Sequence, residues 1–581
     1  MSVSVSVQTN RRIIVLAALF VLLGLLIIGK LIYIQAFLNR KYLTQANQQQ
    51  SRKFEIPTNR GEIFVRDSNG LYPVALNQRL QVVAVDPKFV KDAGEVASKL
   101  APILGLNSND IYAKIRNADS RYVEVKQRVS DSDASKIRDL NIAGVILATK
   151  AYRYYPEANL FSHVLGYVNA DGEGQYGLEQ YINEDLSGQV GQLKAVTDSL
   201  GVPISSTENT AVQPIDGTSY VLTLDRNIQN VARDALVKAV TDNRAESGSI
   251  IVMDPKTGAI KAMVSYPDYD PNNFSTVGDY KTFVNTAITS LYEPGSGFKI
   301  FTMSAGINTG KVKPDTTYND TGEVKLGDKV IRNAENGKFG VQTMADVIQR
   351  SLNTGVVFVL RQLGGDPDKI TLKAKQTLAE YFKKFGFGER TGIELADEAN
   401  SPIKRPEKSA DIDYANMAFG QGISVTSIQM ITAAAAIANG GKLYQPQIIA
   451  ESIAPNGTIK KTQPKLIDSN VVSPQTAAQV AQMMTRVVQN GSGWMARTTG
   501  YSIAGKTGTA QVPKADGSGY EESKNIGSFV GFAPVDDPKF VMLVRIDYPK
   551  VSGFAETTAV PAFAAIERTL FDYYNIPPRA N

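Results

Sequence analysis

The chain has no cysteine and, among its 581 residues, one histidine (His163) and one tryptophan. Without thiols there is no cysteine nucleophile, no disulfide framework and no thiolate-held zinc or iron–sulfur site. One histidine excludes a multi-histidine metal centre and leaves any Ser-His-Asp triad hanging on His163 alone. If the chain is a hydrolase or transferase, its proton shuttle is therefore expected to be lysine, carboxylate or hydroxyl, with no cofactor and no metal. Net charge is also small: 62 Lys plus Arg against 57 Asp plus Glu leave +5, which implies no general affinity for nucleic acid. Apolar residues are plentiful at 43%, enough for sizeable cores, and a prior of ~150 residues per domain suggests about four domains. Absent cysteine also suits an oxidising compartment.

Ile13 to Gly29 is an uncharged apolar run opened by Arg11-Arg12, interrupted by Lys30 and continued from Leu31 to Phe37. At 1.5 Å per residue the first part spans roughly 26 Å, and extension to Tyr33 crosses a ~30 Å hydrocarbon core. Residues 13–37 read as a transmembrane anchor with residues 1–12 as a cytoplasmic tail. No small-x-small cleavage site follows, so the anchor is expected to be retained. Arg11 and Arg12 face Arg40, Lys41, Arg52 and Lys53 across it. That balance does not set the orientation, and a large exported body remains compatible with it.

Residues 38–240 read as an α+β pedestal. Strands are expected at Val82–Val85 and Tyr122–Val125, helices at Ala93–Leu104 and Ser132–Leu140, and a loop-rich stretch between Asn169 and Gly191. A second body, 241–575, opens with apolar strands Ile250–Met253 and Ala259–Val264 around the turn Asp254-Pro255-Lys256-Thr257-Gly258. It closes with Ser528–Phe532 and Phe540–Ile546, and its middle is mostly helical, as at Val425–Asn439. The expected fold class is α/β multidomain: an N-terminal transmembrane helix, the pedestal, and an antiparallel sheet with helices.

Ser296-Gly297-Phe298-Lys299 leads into an apolar helical pattern at Ile300–Ala305. Serine at a helix start with lysine three residues on puts both side chains on one face. The helix terminus offers backbone N–H groups to developing negative charge, and a buried lysine beside another cation becomes neutral enough to take the serine proton. Ser351-Leu352-Asn353 lies 55 residues downstream, after the helical stretch Met344–Arg350, and Lys506-Thr507-Gly508-Thr509 follows 155 residues later in a strand-like run from Ser502 to Val512. In this order Ser-x-x-Lys, Ser-x-Asn and Lys-Thr-Gly form the active-site set of penicillin-interacting serine enzymes.

Several look-alikes carry less weight. Ser401-Pro402-Ile403-Lys404 repeats the first motif inside a proline-rich loop, and Lys256-Thr257-Gly258 repeats the third inside a turn. Gly500 to Thr507 satisfies the P-loop pattern, but Gly508, Pro513 and Gly517 oppose the helix that must follow it. Gly172, Gly174 and Gly177 match a dinucleotide fingerprint without its strand-then-helix frame. Asp268 and Asp270 flank a tyrosine ahead of Pro271 and read as a turn, and His163 reads as a structural hydrogen-bonding residue.

The chain resembles the class B penicillin-binding proteins, the membrane-anchored peptidoglycan D,D-transpeptidases, from the anchor to about residue 570. The resemblance rests on Arg60-Gly61-Glu62-Ile63, Arg153-Tyr154-Tyr155-Pro156, the His163/Gly166 segment, Gly177-Leu178-Glu179, Phe419-Gly420-Gln421-Gly422 and Lys506 to Ala510. The anchor, the Asp86-Pro87-Lys88 segment and the lack of C-terminal repeats liken it to the division-type, FtsI-like branch. Val65 stands where the family usually has aspartate, and Gly297 where it commonly has threonine. The resemblance implies catalytic roles for Ser296, Lys299, Ser351, Asn353 and Lys506, and substrate binding by Thr507, Gly508 and Thr509. It also implies peptidoglycan stem peptides as substrates, β-lactams as inhibitors, and a SEDS-family glycosyltransferase and division proteins as partners. The expected location is the bacterial inner membrane, with the catalytic body outside the cytoplasm. An elongation-type enzyme, a tethered β-lactamase or penicillin sensor, and a non-catalytic scaffold are the competing readings.

Overall fold

A computed structural model describes residues 7–42, 51–67, 70–117, 119–197, 204–205, 209–334, 337–514 and 519–579. The chain forms two compact units, Met1–Asn59 with Gly188–Asp216, and Arg60–Ser187 with Gly217–Asn581. In the first, the helix Val7–Tyr33 runs through a π turn at Ile34–Leu38. From Arg11 to Tyr42 it is long and apolar enough to cross a bilayer, with none of its most apolar window buried. A helix apolar on every face finds no satisfied environment in water. The same unit holds an antiparallel sheet of Ser51–Ile56, Gly191–Val196 and Thr210–Val212.

The second unit begins with a seven-stranded sheet. Ile63–Asp67 pairs antiparallel with the long strand Gly70–Val85, which in turn pairs with Val123–Val129 and Val145–Tyr154. On the other side Ile63–Asp67 pairs parallel with Ser219–Leu222, which is followed by Ile449–Ile453 and Ile459–Lys461. The helix Ala93–Leu104 has the expected bounds, with Asp92 as its N-cap. Asp131–Asp139 starts one residue early because Ser130 caps it. The expected strand at Val82–Val85 is only the apolar end of Gly70–Val85, whose middle is polar and half exposed. The stretch Asn169–Gly191 is more ordered than its glycines suggest: Gly174–Gln175 pairs with Tyr167–Val168, and the helices Gly177–Tyr181 and Asn183–Ser187 follow. Val65 is fully buried in the core, where an unpaired carboxylate would be costly.

The elements that carry the site lie between Arg226 and Tyr573. They are helix α1 (Arg226–Asp242), strands β1 (Ser247–Met253) and β2 (Ile260–Tyr266), and helices α2 (Lys299–Asn308), α3 (Met344–Gln349), α4 (Asn353–Gly364), α5 (Ser427–Ala438) and α6 (Pro474–Asn490). Strands β3 (Ala504–Pro513), β4 (Tyr520–Ala533) and β5 (Phe540–Asp547) and helix α7 (Ala555–Tyr573) complete them. The sheet is antiparallel throughout, in the order β2-β1-β5-β4-β3. Alternate residues of β1 serve two cores. Ile250 and Val252 join the core that includes residues of α1 and α7, while Ile251 and Met253 join that of α2, α4 and α5. Both faces are covered, which is why Ile250–Met253 of β1 and Phe540–Val544 of β5 read as unbroken apolar runs rather than alternating ones. No helix follows Gly500–Thr507: strand β3 starts at Ala504.

Candidate active site

Local chemistry sets the Ser296 turn. Gly295–Phe298 forms a 3-10 turn that runs straight into α2, so Ser296 and Lys299 lie one turn apart. Gly295 has φ +54°, and a Cβ there would come within 2.6 Å of the Thr509 carbonyl oxygen. Across the gap, a Cβ at Gly508 would lie 2.6 Å from Pro294 O and 3.3 Å from Gly297 N. Only glycines allow β3 to pass this close to the turn. Behind it, Gly295 N donates to Gly420 O at 3.0 Å, and the Glu293 carboxylate accepts from Gly422 N at 2.8 Å and from the Tyr520 hydroxyl at 3.0 Å. The Phe419–Gly422 segment thus braces the Ser296 turn.

Gly297 is different. A Cβ there would sit 3.6 Å from Met430 Cε, an ordinary contact, and its φ is not in the left-handed region. Gly297→Ala is expected to stabilise the chain by about 0.5–1 kcal/mol by restricting the unfolded backbone. A urea titration following the catalytic body, with acylation measured alongside, checks it; a lowered midpoint contradicts it.

The three motifs converge on Ser351. Its Oγ lies 3.1 Å from Lys299 Nζ and 3.1 Å from Lys506 Nζ, and its carbonyl oxygen accepts from Lys299 Nζ at 2.5 Å. Ser351 has φ +59° between α3 and α4, a conformation costing a non-glycine residue about 1–3 kcal/mol and typical of functional positions. Its surroundings impose it. A capping box of Thr343 and Asp346 starts α3. Thr354, next to Asn353, donates its hydroxyl to the buried Asp320 at 2.8 Å. Asp320 also accepts from Asn333 Nδ2 and Phe339 N. Nothing in the sequence pattern linked Asp320 or Asn333, 34 and 21 residues before Thr354, to the site.

Lys299 and Lys506 are both fully buried. Burial, reinforced by the charge of Lys506, holds the Lys299 amine well below the usual lysine range. Burial alone pushes Lys506 down to about 7, against the opposing pull of the Glu556 carboxylate. That shift favours the neutral form of Lys299, an amine with two N–H groups and one lone pair. Ser351 takes the N–H groups through its two oxygens, and the lone pair remains for a proton. Lys506 also donates to the Thr507 carbonyl at 3.1 Å. Asn353 spends an amide N–H on Arg332 O at 2.8 Å, which leaves its carbonyl oxygen available. Thr509 is exposed and accepts from Ala555 N at 3.2 Å. The structure therefore gathers Ser296, Lys299, Ser351, Lys506, Thr507 and Gly508 in one place, with Asn353 and Thr509 at its rims.

The look-alikes fall elsewhere. Lys404 of the second Ser-x-x-Lys pairs with Asp413 at 2.7 Å in a stretch without regular structure, and Lys256 of the second Lys-Thr-Gly pairs with Asp537. Asp268 binds Arg233 at 2.7 Å, and Asp270 caps the turn that follows it. His163 is buried, its Nε2 2.9 Å from Thr282 O, and burial lowers its pKa to about 4.

Two fully buried lysines and two half-buried serines at the rim of a five-stranded antiparallel sheet mark the protein as one of the penicillin-interacting class. The chain belongs to the penicillin-binding protein transpeptidase family: residues 248–567 match the penicillin binding protein transpeptidase domain, and residues 55–222 match the penicillin-binding protein dimerisation domain. It is 34% identical to the stage V sporulation protein D of Bacillus subtilis over 99% of this chain and 88% of that protein. To the peptidoglycan D,D-transpeptidase FtsI of Escherichia coli K12 it is 28% identical, over 95% of this chain and 90% of that one. A solved structure of penicillin binding protein 3 from Mycobacterium tuberculosis, complexed with aztreonam, superposes with a TM-score of 0.69 at 27% identity, covering 91% of this chain and 98% of that one.

Proposed function

We propose that the protein is a peptidoglycan D,D-transpeptidase of the division type, which cross-links stem peptides through a serine acyl-enzyme during septal wall synthesis and is a target of β-lactams. The observation that carries this reading is Ser351 Oγ held 3.1 Å from each of two buried lysines beside the Ser296 turn. Lys299 takes the Ser296 proton, and Ser296 Oγ bonds to the penultimate D-alanine carbonyl carbon. Backbone N–H groups of Ser296 and Thr509 receive the oxyanion, an interaction whose loss typically costs 10²–10³ in rate. The C–N bond breaks, Ser351 passes the proton to the departing D-alanine, and Asn353 holds the substrate amide. Lys506, Thr507 and Thr509 bind the terminal carboxylate, with Gly508 leaving room for the backbone. The amine of a second stem then displaces Ser296 and forms the cross-link. Residues 13–37 anchor the chain in the inner membrane, 38–240 serve as pedestal, and 241–575 act outside the cytoplasm. The partners are a SEDS-family glycosyltransferase and division proteins.

Mass spectrometry of the penicillin-treated chain tests this. The expected result is one adduct on Ser296 that persists for minutes or longer, forming more slowly as pH falls and Lys299 gains its proton. Release within seconds as hydrolysed drug would instead mark a tethered β-lactamase. No adduct at all would favour a scaffold.

A further inference from the structure

The last turn of α6 touches both walls of the site. Arg486 donates through Nε to Gln349 Oε1 at 2.8 Å and through Nη2 to Asp346 at 2.6 Å, on the helix whose end carries Ser351. Six residues on, Ser492 Oγ lies 2.6 Å from Thr507 Oγ1 on β3. The glycines flanking Ser492 leave little room for side chains. A Cβ at Gly491 would sit 2.8 Å from Gln349 O, and one at Gly493 would sit 3.2 Å from the Phe529 ring. The turn is packed closely enough to hold the Ser492 hydroxyl against Thr507.

Counting protons gives this contact a consequence. Each hydroxyl has one proton and two lone pairs. Lys506 Nζ, which as an ammonium only donates, lies 3.4 Å from Thr507 Oγ1. When Ser492 donates as well, both lone pairs of Thr507 are occupied and its own proton is turned away from Ser492 and Lys506. A carboxylate, which only accepts, selects that arrangement. Building on the transpeptidase reading, we propose that Ser492 is a positioning residue for the substrate's terminal carboxylate, holding the Thr507 hydroxyl with its proton directed at that anion. No sequence motif marked Ser492; it lies between two glycines 14 residues before Lys506.

The test compares second-order acylation rates of the full-length wild-type, Ser492→Ala and Ser492→Thr proteins, read by intact-protein mass spectrometry. The probes are benzylpenicillin and its methyl ester, which lacks the anion. Ser492→Ala is expected to react about tenfold more slowly with the acid, the effect of one hydrogen bond to a charged group, and at an unchanged rate with the ester. The preference for acid over ester then shrinks about tenfold, and Ser492→Thr restores most of it. An equal loss on both probes, or no loss on either, overturns the inference while leaving the transpeptidase reading intact. A wild-type chain that forms no adduct with either probe overturns both.

Discussion

Ser296→Ala is expected to take up no fluorescent penicillin, with covalent labelling reduced at least about 10³-fold. The substitution removes the hydroxyl one helical turn before Lys299, and leaves the lysine pair and the β3 wall in place. Ser296 is half-buried at a 3-10 turn that alanine also adopts, so the fold is retained and non-covalent binding persists. Lys299→Met should give a similar loss for a different reason, since Ser296 then has its oxygen but no base. Labelling of both variants at the wild-type rate would move the nucleophile elsewhere. In-gel fluorescence after a fixed exposure decides between these outcomes.

Glu179→Ala is expected to cost about 3–5 kcal/mol, the penalty for stripping one partner from a buried ion pair. The Glu179 side chain is completely buried, 2.8 Å from Arg60 Nε and 2.6 Å from Arg153 Nε. The two guanidiniums also clamp the surrounding chain: Arg60 Nη1 donates to Ser187 Oγ and Arg153 Nη1 to Gly61 O, each at 2.8 Å. Without the carboxylate, two buried cations face each other with no anion between them. Burial pushes the Glu179 carboxyl up, but Arg153 and Arg60 more than offset it, and it ends below the usual carboxylate range. A folded pKa below the unfolded value of about 4.3 makes the contribution complete above that value and lost as pH falls below it. Glu179→Gln should therefore unfold at lower urea than wild type at pH 7, with the difference narrowing towards pH 3. A difference that stays constant with pH would show that charge is not what holds this junction.

These two predictions rest on different kinds of legibility. The site could be read from the sequence because its chemistry is local: Ser296 and Lys299 are fixed by one helical turn, Ser351 and Asn353 by a single loop, and Lys506 to Thr509 by one strand. The Arg60, Arg153 and Glu179 segments were visible as separate strings, but their meeting around one carboxylate depends on tertiary packing over 119 residues. Asp320, Asn333 and Ser492 left no trace because single polar residues at strand ends and in a turn have no period to betray them. The long strand Gly70–Val85 was seen only at its apolar end because Asn77 to Gln81, polar but for Leu80, are held by backbone pairing and carry no apolar alternation. The roughly four domains suggested by length give way to two compact units, because residues 60–187 and 217–581 share one sheet rather than meeting across a linker.

That shared sheet also sets an order of events. Ser219–Leu222 lies between Ile63–Asp67 and Ile449–Ile453, so its second neighbour is made more than 200 residues after the strand itself. A chain delivered N-terminus first must hold this strand with one open edge until most of the catalytic body has emerged. Unpaired strand edges are templates for wrong partners, and pairing at such sequence separation is slow. The vulnerable interval in the life of this protein is therefore its own delivery, and it closes when residues near 450 arrive.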